Sequence, residues 1–292
     1  MTNHPCCSRM DNNHKIKSVS VDFFSFLNRL FLRFFGIRVS RIIHRSDFKR
    51  VLAWLSPCSN GHSLIRVGAE EDGGYLVPDD LEGIVACFSP GTDQVVEFEK
   101  YFFSQGIRCY LADASVPENP FKNPLVDFQK KYISGFSHGD FLSLEDWIMD
   151  SFPSLSGDMV LQIDIEGWEY QALSTCPLSL LERFRIIIIE FHDFHRTVDR
   201  YFYRDLLAPV IAKLASSFDP VHVHPNNASP EFFLHGYRCP QAFELTLHRK
   251  DRRCIDPPIP LIMELPHTLD QDNLPSKRSL EISKQWPMHC SW

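Results

Sequence analysis

Between residues 84 and 250, short apolar runs alternate with stretches of helical period, and each run breaks at a turn residue or a carboxylate. Ile84-Val85-Ala86-Cys87-Phe88 predicts a strand that stops at Ser89-Pro90-Gly91. Thr92 or Asp93 can cap a helix from Gln94 to about Gln105, with Gly106 as its stop. Ile107 to Ala112 predicts the next strand, ending in Asp113. After a proline-containing stretch, Ser143 and the acidic Glu145 and Asp146 open a helix. The apolar run that starts at Met159 ends abruptly in Asp164 and Glu166, breaks at Gly167 and resumes as a helix from about Trp168 to Ser174. A second buried-type run follows, Phe184-Arg185-Ile186-Ile187-Ile188-Ile189-Glu190-Phe191-His192. Tyr201 to Ser216 predicts a helix with a kink at Pro209. Val221–His224 and Ala242–His248 alternate strictly, which predicts half-exposed or edge strands.

Repeated strand–helix–strand units imply an α/β fold, a mostly parallel sheet with helices on both faces. The two alternating strands predict an antiparallel finish. Three regions are expected: an N-terminal extension over 1–60, the main domain over 61–250, and a proline-containing tail, extended or partly disordered, over 251–292. In the extension, residues 1–17 are polar. Phe23, Phe24, Leu27, Leu30, Phe31, Phe34 and Phe35 recur at helical spacing, and Arg29 and Arg33 fall on another face. The apolar run of this amphipathic segment, which covers about 20–45, is shorter than the roughly 20 residues a spanning helix needs, and two arginines interrupt it. It reads either as a peripheral contact with a membrane surface or as a helix packed on protein.

Composition narrows the classes. Apolar residues make up 44% and charged residues 23% of 292, as in ordinary globular proteins. A formal charge of −7 argues against nucleic acid as a partner, because such binding relies on neutralising phosphates. The nine cysteines are scattered without a Cys-x-x-Cys pair, which suits a reducing cytoplasm. Cys87 and Cys109 sit inside apolar runs and are expected as small core residues.

Carboxylates at the mouth of a hydrophobic strand are costly unless something meets them, and in open α/β sheets that edge is where ligands bind. The Gly91 turn lets backbone approach a ligand. Asp113, 22 residues further on, can accept hydrogen bonds from both hydroxyls of a ribose. On an extended strand Gln162, Asp164 and Glu166 would share one face.

Leu161-Gln162-Ile163-Asp164-Ile165-Glu166-Gly167-Trp168-Glu169-Tyr170-Gln171-Ala172-Leu173 resembles the signature segment of FkbM-like S-adenosylmethionine-dependent methyltransferases. The strand ending in Glu190 fits that family, as do Arg66-Val67-Gly68 and Asp72-Gly73-Gly74-Tyr75. The resemblance covers about 62–250. It implies a Rossmann-like class I methyltransferase fold, bound S-adenosylmethionine, and O-methylation of a sugar or related hydroxyl. Carried over by position, Gly91 would sit in the cofactor loop, Asp113 would hold the ribose and Asp164 would line the methyl-transfer cleft. Ser89-Pro90-Gly91 departs from the several glycines common in methyltransferases.

An acceptor hydroxyl must lose its proton as the methyl arrives, so a positioned base is needed. His192 is the candidate, with Glu190 orienting it or holding substrate, and Glu166 completes the catalytic set. His224 and Asn226 are candidate readers of the acceptor's hydroxyls. Asp164, Glu166, Glu190 and His192 could instead hold a divalent metal such as Mg²⁺. Two other functions remain open at this point. One is a noncatalytic binding module that keeps the fold. The other is an NAD-dependent oxidoreductase, which would want a fuller Gly-x-Gly-x-x-Gly turn.

Overall fold

This computed structural model describes residues 30, 34–35, 40–92, 96–153, 156–261, 266–282 and 286. The chain divides into two units, 1–41 and 42–292, and the second carries the α/β fold. Most of the 20–45 segment lies outside the described residues, as do Asp93, Gln94 and Val95. Among the described residues no helix is long and apolar enough to cross a membrane.

Helix α1 (Arg45–Leu55) opens the second unit and buries Phe48, Val51, Leu52, Trp54 and Leu55 along one stripe. An antiparallel hairpin, β1 (Leu64–Gly68) and β2 (Gly74–Pro78), follows. Next come β3 (Ile84–Pro90), α2 (Glu97–Ser104), β4 (Arg108–Ala112) and β5 (Val126–Gln129). A short parallel pair, β6 (Tyr132–Ser134) and β7 (Phe141–Ser143), leads into α3 (Leu144–Ser151). The run continues through β8 (Asp158–Ile163), α4 (Glu169–Thr175), α5 (Leu178–Leu181) and β9 (Phe184–Phe191). Helix α6 (Ala208–Ser217), β10 (Phe218–Pro225), the hairpin β11 (Glu231–Leu234) and β12 (Tyr237–Pro240), and β13 (Phe243–Arg249) complete it.

Seven strands form the main sheet in the order β10-β13-β9-β8-β3-β4-β5. The five from β9 to β5 pair in parallel. β13 runs antiparallel to both neighbours, β9 and β10. Because side chains alternate along a strand, the sheet feeds two cores. Phe88, Tyr110, Leu161, Ile187 and Ile189 face α1, α3, α4 and α6. Cys87, Cys109, Val160, Ile186 and Ile188 face Phe98 and Phe102 of α2 and Val67, Tyr75 and Val77 of the first hairpin. Both cysteines are fully buried, as small core residues should be.

Local signals held where the chain alone decides them. Ser143 Oγ accepts from Asp146 N at 3.0 Å and caps α3. A π turn spans Tyr203–Leu207 before regular helix resumes at Ala208, next to a proline that has no N–H for the preceding turn. Among the described residues no side chain caps α2 at Glu97, and Thr92 Oγ1 donates to Ser89 O; Asp93, the other expected cap, lies outside them.

The alternating strands correct an expectation. β10 is an edge strand of the sheet, as expected, but β10 and β13 are both buried over nearly their whole length rather than half-exposed. Their polar residues are covered by other parts of the chain. Thr246 Oγ1 donates to Leu76 O at 2.8 Å. His222 Nε2 lies 3.1 Å from Asp270 Oδ1, and Asn273 Nδ2 donates to Glu244 Oε1 at 2.8 Å. The covering segment beyond 251 also sends Ile282 and Trp286 into the core. A period of two reports polarity and says nothing about what lies on top.

A charged clasp ties these layers together. Asp80 Oδ1 accepts from Arg185 Nη1 at 3.2 Å and from Arg252 Nη2 at 2.7 Å, and Arg185 Nε donates to Asp158 Oδ2 at 2.9 Å. Fully buried His248 accepts from Asn60 Nδ2 at 2.8 Å and faces Asp80 Oδ2 with Nε2 at 3.1 Å. Burial, outweighing the pull of Asp80, holds the imidazole down at about 4. Burial disfavours the Asp80 carboxylate too, yet the bonds from Arg252 and the charge of Arg185 keep it below its usual value.

Both groups have folded values below their unfolded ones. Their contribution is therefore complete above the unfolded pKa and is lost as pH falls through the folded one. Urea midpoints are expected to drop as pH falls from about 6.5 toward 4. His248→Gln is expected to make that slope shallower, and an unchanged slope would exclude the clasp as its source.

Candidate active site

The chain leaves β3 in one direction to build β4 and β5 and in the other to build β8 and β9, so the carboxyl ends of β3 and β8 form a switch point. Gly91, just after β3, has φ +86°, and a Cβ there would stand 1.4 Å from the carbonyl oxygen of Asp164. Only glycine fits. Its N–H donates to Ala112 O at 2.9 Å, and Asp164 N donates to Pro90 O at 3.2 Å. These bonds lock the ends of β3, β4 and β8 to one another.

A cavity of about 460 Å³ opens at this point, lined among others by Gly91, Asp113, Tyr132, Asp164, Glu166 and Trp168. That volume lies within the range of about 300–1,000 Å³ usual for small-molecule sites. A smaller cavity of about 50 Å³ shares Asp72, Gly91 and Asp164 with it and reaches Tyr75 and Gln162. Asp113 Oδ1 accepts from the backbone N and Oγ of Ser115, both at 2.6 Å. The three positions read as cofactor-binding, 91, 113 and 164, thus meet in one cleft.

Glu166 is not on the strand face. β8 ends at Ile163, and Glu166 adopts a left-handed φ of 54° with its side chain 87% exposed. Gln162 points into the sheet, donating to Tyr75 Oη at 3.0 Å and accepting from Ser89 Oγ at 2.6 Å. The turn after β8 is instead organised by Glu169, whose Oε1 accepts from Ile165 N at 3.0 Å and Gly167 N at 3.1 Å.

The same Glu169 oxygen lies 3.0 Å from His192 Nδ1. Tyr170, next on α4, donates to His192 O at 2.8 Å. One helix turn therefore fixes both the ring and the backbone of His192. Its Nε2 then faces three carboxylates: Asp164 Oδ1 at 3.8 Å, Glu166 Oε2 at 3.6 Å and Glu190 Oε1 at 3.7 Å. Asp164 Oδ1 is buried and has no hydrogen-bond partner among the described residues. Glu190 accepts from Asn226 Nδ2 at 2.6 Å.

Electrostatics follow from this crowding. Burial opposes a charge on His192, but the bond to Glu169 and the charges of Glu169, Glu190 and Asp164 prevail and push it up to about 10. Burial and the charge of Glu190 hold Asp164 well above the usual carboxylate range, and burial raises Glu190 as well. His192 is the cation of the cluster. Among the described residues two groups have metal-ligand spacing: Asp164, Glu190 and His192 here, and His62, Asp80 and His248 in the clasp.

Of the two acceptor-side residues read from sequence, Asn226 joins the site through Glu190. His224 does not line the cleft; it is buried 3.4 Å from Asp270 Oδ1 and pushed up to about 9, its burial outweighed by Asp270 and Glu244. Sequence reasoning missed Glu169, because an acid in a first helical turn reads as a cap. It named Asp72 within a motif without giving it a role and missed Asn273; the two meet at 3.0 Å from loops without periodicity.

Residues 142–218 match the family model of the methyltransferase FkbM domain. That span holds Asp164, Glu166, Glu169, Glu190 and His192, with Gly91 and Asp113 before it. No curated protein matches the chain. The domain match supports methyltransferase activity.

Two outcomes are expected. Gly91→Ala lowers the unfolding free energy by at least about 1–3 kcal/mol in urea titrations, since a Cβ at this φ collides with backbone. Glu169→Gln lowers the pKa of His192 by more than about one unit, read by NMR of the ring nitrogens.

Proposed function

We propose that this protein is an S-adenosylmethionine-dependent O-methyltransferase acting on a hydroxyl of a sugar or glycan precursor. The observation that carries the reading is the meeting of Gly91, Asp113 and Asp164 in one cleft bordered by the His192 cluster. The glycine turn admits the cofactor's backbone-hugging portion, and the free oxygen of Asp113 takes ribose hydroxyls. A sulfonium is a cation, and Asp164 with its acidic neighbours gives the cleft the opposite sign. The strand order, with antiparallel β13 set into a parallel sheet, supports assignment to the Rossmann-like methyltransferase class.

In the transfer, the acceptor oxygen forms a bond to the methyl carbon, the carbon–sulfur bond breaks, and its electron pair stays on sulfur. The hydroxyl proton passes to His192 Nε2, whose ring Glu169 holds in place as a triad acid would. His192 holds a proton in the empty cleft, and the positive charge of a bound sulfonium beside the carboxylates lowers its proton affinity. This proton then leaves to solvent past the exposed Glu166, and Nε2 is free to accept the hydroxyl's. Holding oxygen, methyl and sulfur in line contributes on the order of 7–11 kcal/mol. Glu190, fixed by Asn226, and Glu166 at the rim face the acceptor.

Calorimetry with S-adenosylmethionine tests the cofactor site. Binding is expected for the wild type, with affinity at least about tenfold weaker in Asp113→Ala. Methyl-labelled cofactor and fractionated cell glycans test transfer, and His192→Ala is expected to slow it by about 10²–10⁴. Binding without transfer to any fraction would favour a noncatalytic module, and absence of binding would sink the reading.

A further inference from the structure

The proposed methyl transfer leaves one feature of the cluster unexplained. Asp164 Oδ1, Glu166 Oε2 and Glu190 Oε1 surround His192 Nε2 at 3.6–3.8 Å. These separations are too long for N–H···O hydrogen bonds, which run about 2.7–3.2 Å. A single N–H could in any case serve only one of the three. Two ligands held about 2.1 Å from one ion stand roughly 3 Å apart at a right angle and roughly 3.6 Å apart at about 120°, so a shared cation asks only a small closing of the present spacing.

Three further facts point the same way. The ligand atoms of Asp164, Glu190 and His192 all lie within 4.8 Å of one another. Among the described residues Asp164 Oδ1 is buried with no partner, and no arginine or lysine forms an ion pair with Asp164, Glu166 or Glu190. Finally, fully buried Glu169 engages Nδ1 and aims Nε2 at the carboxylates, the outer-sphere arrangement that orients imidazole ligands of metals. Asn226 does the same for Glu190.

The clasp triad of His62, Asp80 and His248 has comparable spacing but a different balance. Arg185 and Arg252 already donate to Asp80, and His248 Nδ1 is taken by Asn60. Two guanidinium groups already supply Asp80 with positive charge.

We propose that Asp164, Glu190 and His192 bind one divalent cation of the Mg²⁺/Mn²⁺ type, which receives the acceptor through its oxygen. Two carboxylates with one imidazole suit such ions better than a thiolate-seeking metal. The inference rests on the methyl-transfer reading for its purpose and refines it. With the ion in place, Nε2 is a ligand rather than the base. The ion acidifies the acceptor hydroxyl, whose proton passes to Glu166 at the solvent edge. The oxygen then takes the methyl carbon, and the carbon–sulfur pair remains on sulfur. A polyhydroxylated acceptor, offering two adjacent oxygens to one ion, fits this site best.

The test is titration of the full-length, chelator-treated protein with Mn²⁺ alone, following the free-ion signal by electron paramagnetic resonance, with Mg²⁺ as competitor. We expect one Mn²⁺ per chain, displaced by Mg²⁺, with affinity at least about tenfold weaker in Glu190→Gln and in Glu169→Gln. His62→Gln should bind as the wild type does. Circular dichroism checks that each variant is folded, and Glu169→Gln, which removes no ligand, guards against a ligand variant that fails to fold. No Mn²⁺ binding up to the millimolar range of about 10⁻³ M overturns the proposal. Binding that His62→Gln abolishes, or that neither glutamate variant weakens, overturns it equally. Asp113→Ala should lose S-adenosylmethionine yet keep Mn²⁺, so the failure of either idea can be told from the failure of the other.

Discussion

At the switch point of the sheet, the backbone at Gly91 passes so close to the carbonyl of Asp164 that a side chain would overlap it. This contact brings the ends of β3 and β8 together, and the bond from Gly91 N to Ala112 O draws in β4. Asp113 and Asp164 belong to different strands and gain a common cleft only through that approach. A glycine with left-handed φ is what permits it, since no other residue adopts this conformation without strain. The cleft exists because two backbones are allowed to touch.

Around the cleft, charge rather than packing sets the chemistry. Four carboxylates, Asp164, Glu166, Glu169 and Glu190, lie within 4.0 Å of one imidazole. Burial makes charge expensive at Asp164 and Glu190, and the charge of Glu190 adds to the proton affinity of Asp164. Such a site holds a proton tightly when empty and welcomes positive charge in any form, whether imidazolium, sulfonium or metal ion. Glu169 decides how that charge is presented, because it binds the turn after β8 and the ring of His192 with the same oxygen.

Other parts of the second unit cover the polar residues of the sheet beside this edge. The first hairpin lies over one face, with Tyr75 accepting from Gln162 and Leu76 accepting from Thr246. The segment beyond 251 crosses the polar rows of β10 and β13 and ties back through Asp270 and Asn273. Asn273 also reaches Asp72, which lines both cavities. Elements far apart in the chain thus share the task of burying polar groups, and Gln162, Thr246 and Glu244 each find a partner from elsewhere.

What the sequence determined by itself was whatever depends on neighbours in the chain. Apolar runs ending in Asp113, Asp164 and Glu190 marked parallel strands, Ser143 marked a helix start, and the Asp-Ile-Glu-Gly-Trp-Glu segment marked the site. Covalent spacing and side-chain period carry that information over a few residues. Only the tertiary structure decided what meets what. It turned Glu166 out of the strand face, gave Glu169 the role of holding His192, and buried His224 beneath Asp270 instead of lining the cleft. It covered two strands whose alternation had signalled exposure. Those outcomes depend on which distant segment supplies a partner to a polar atom, and no local pattern records a partner that is a hundred residues away.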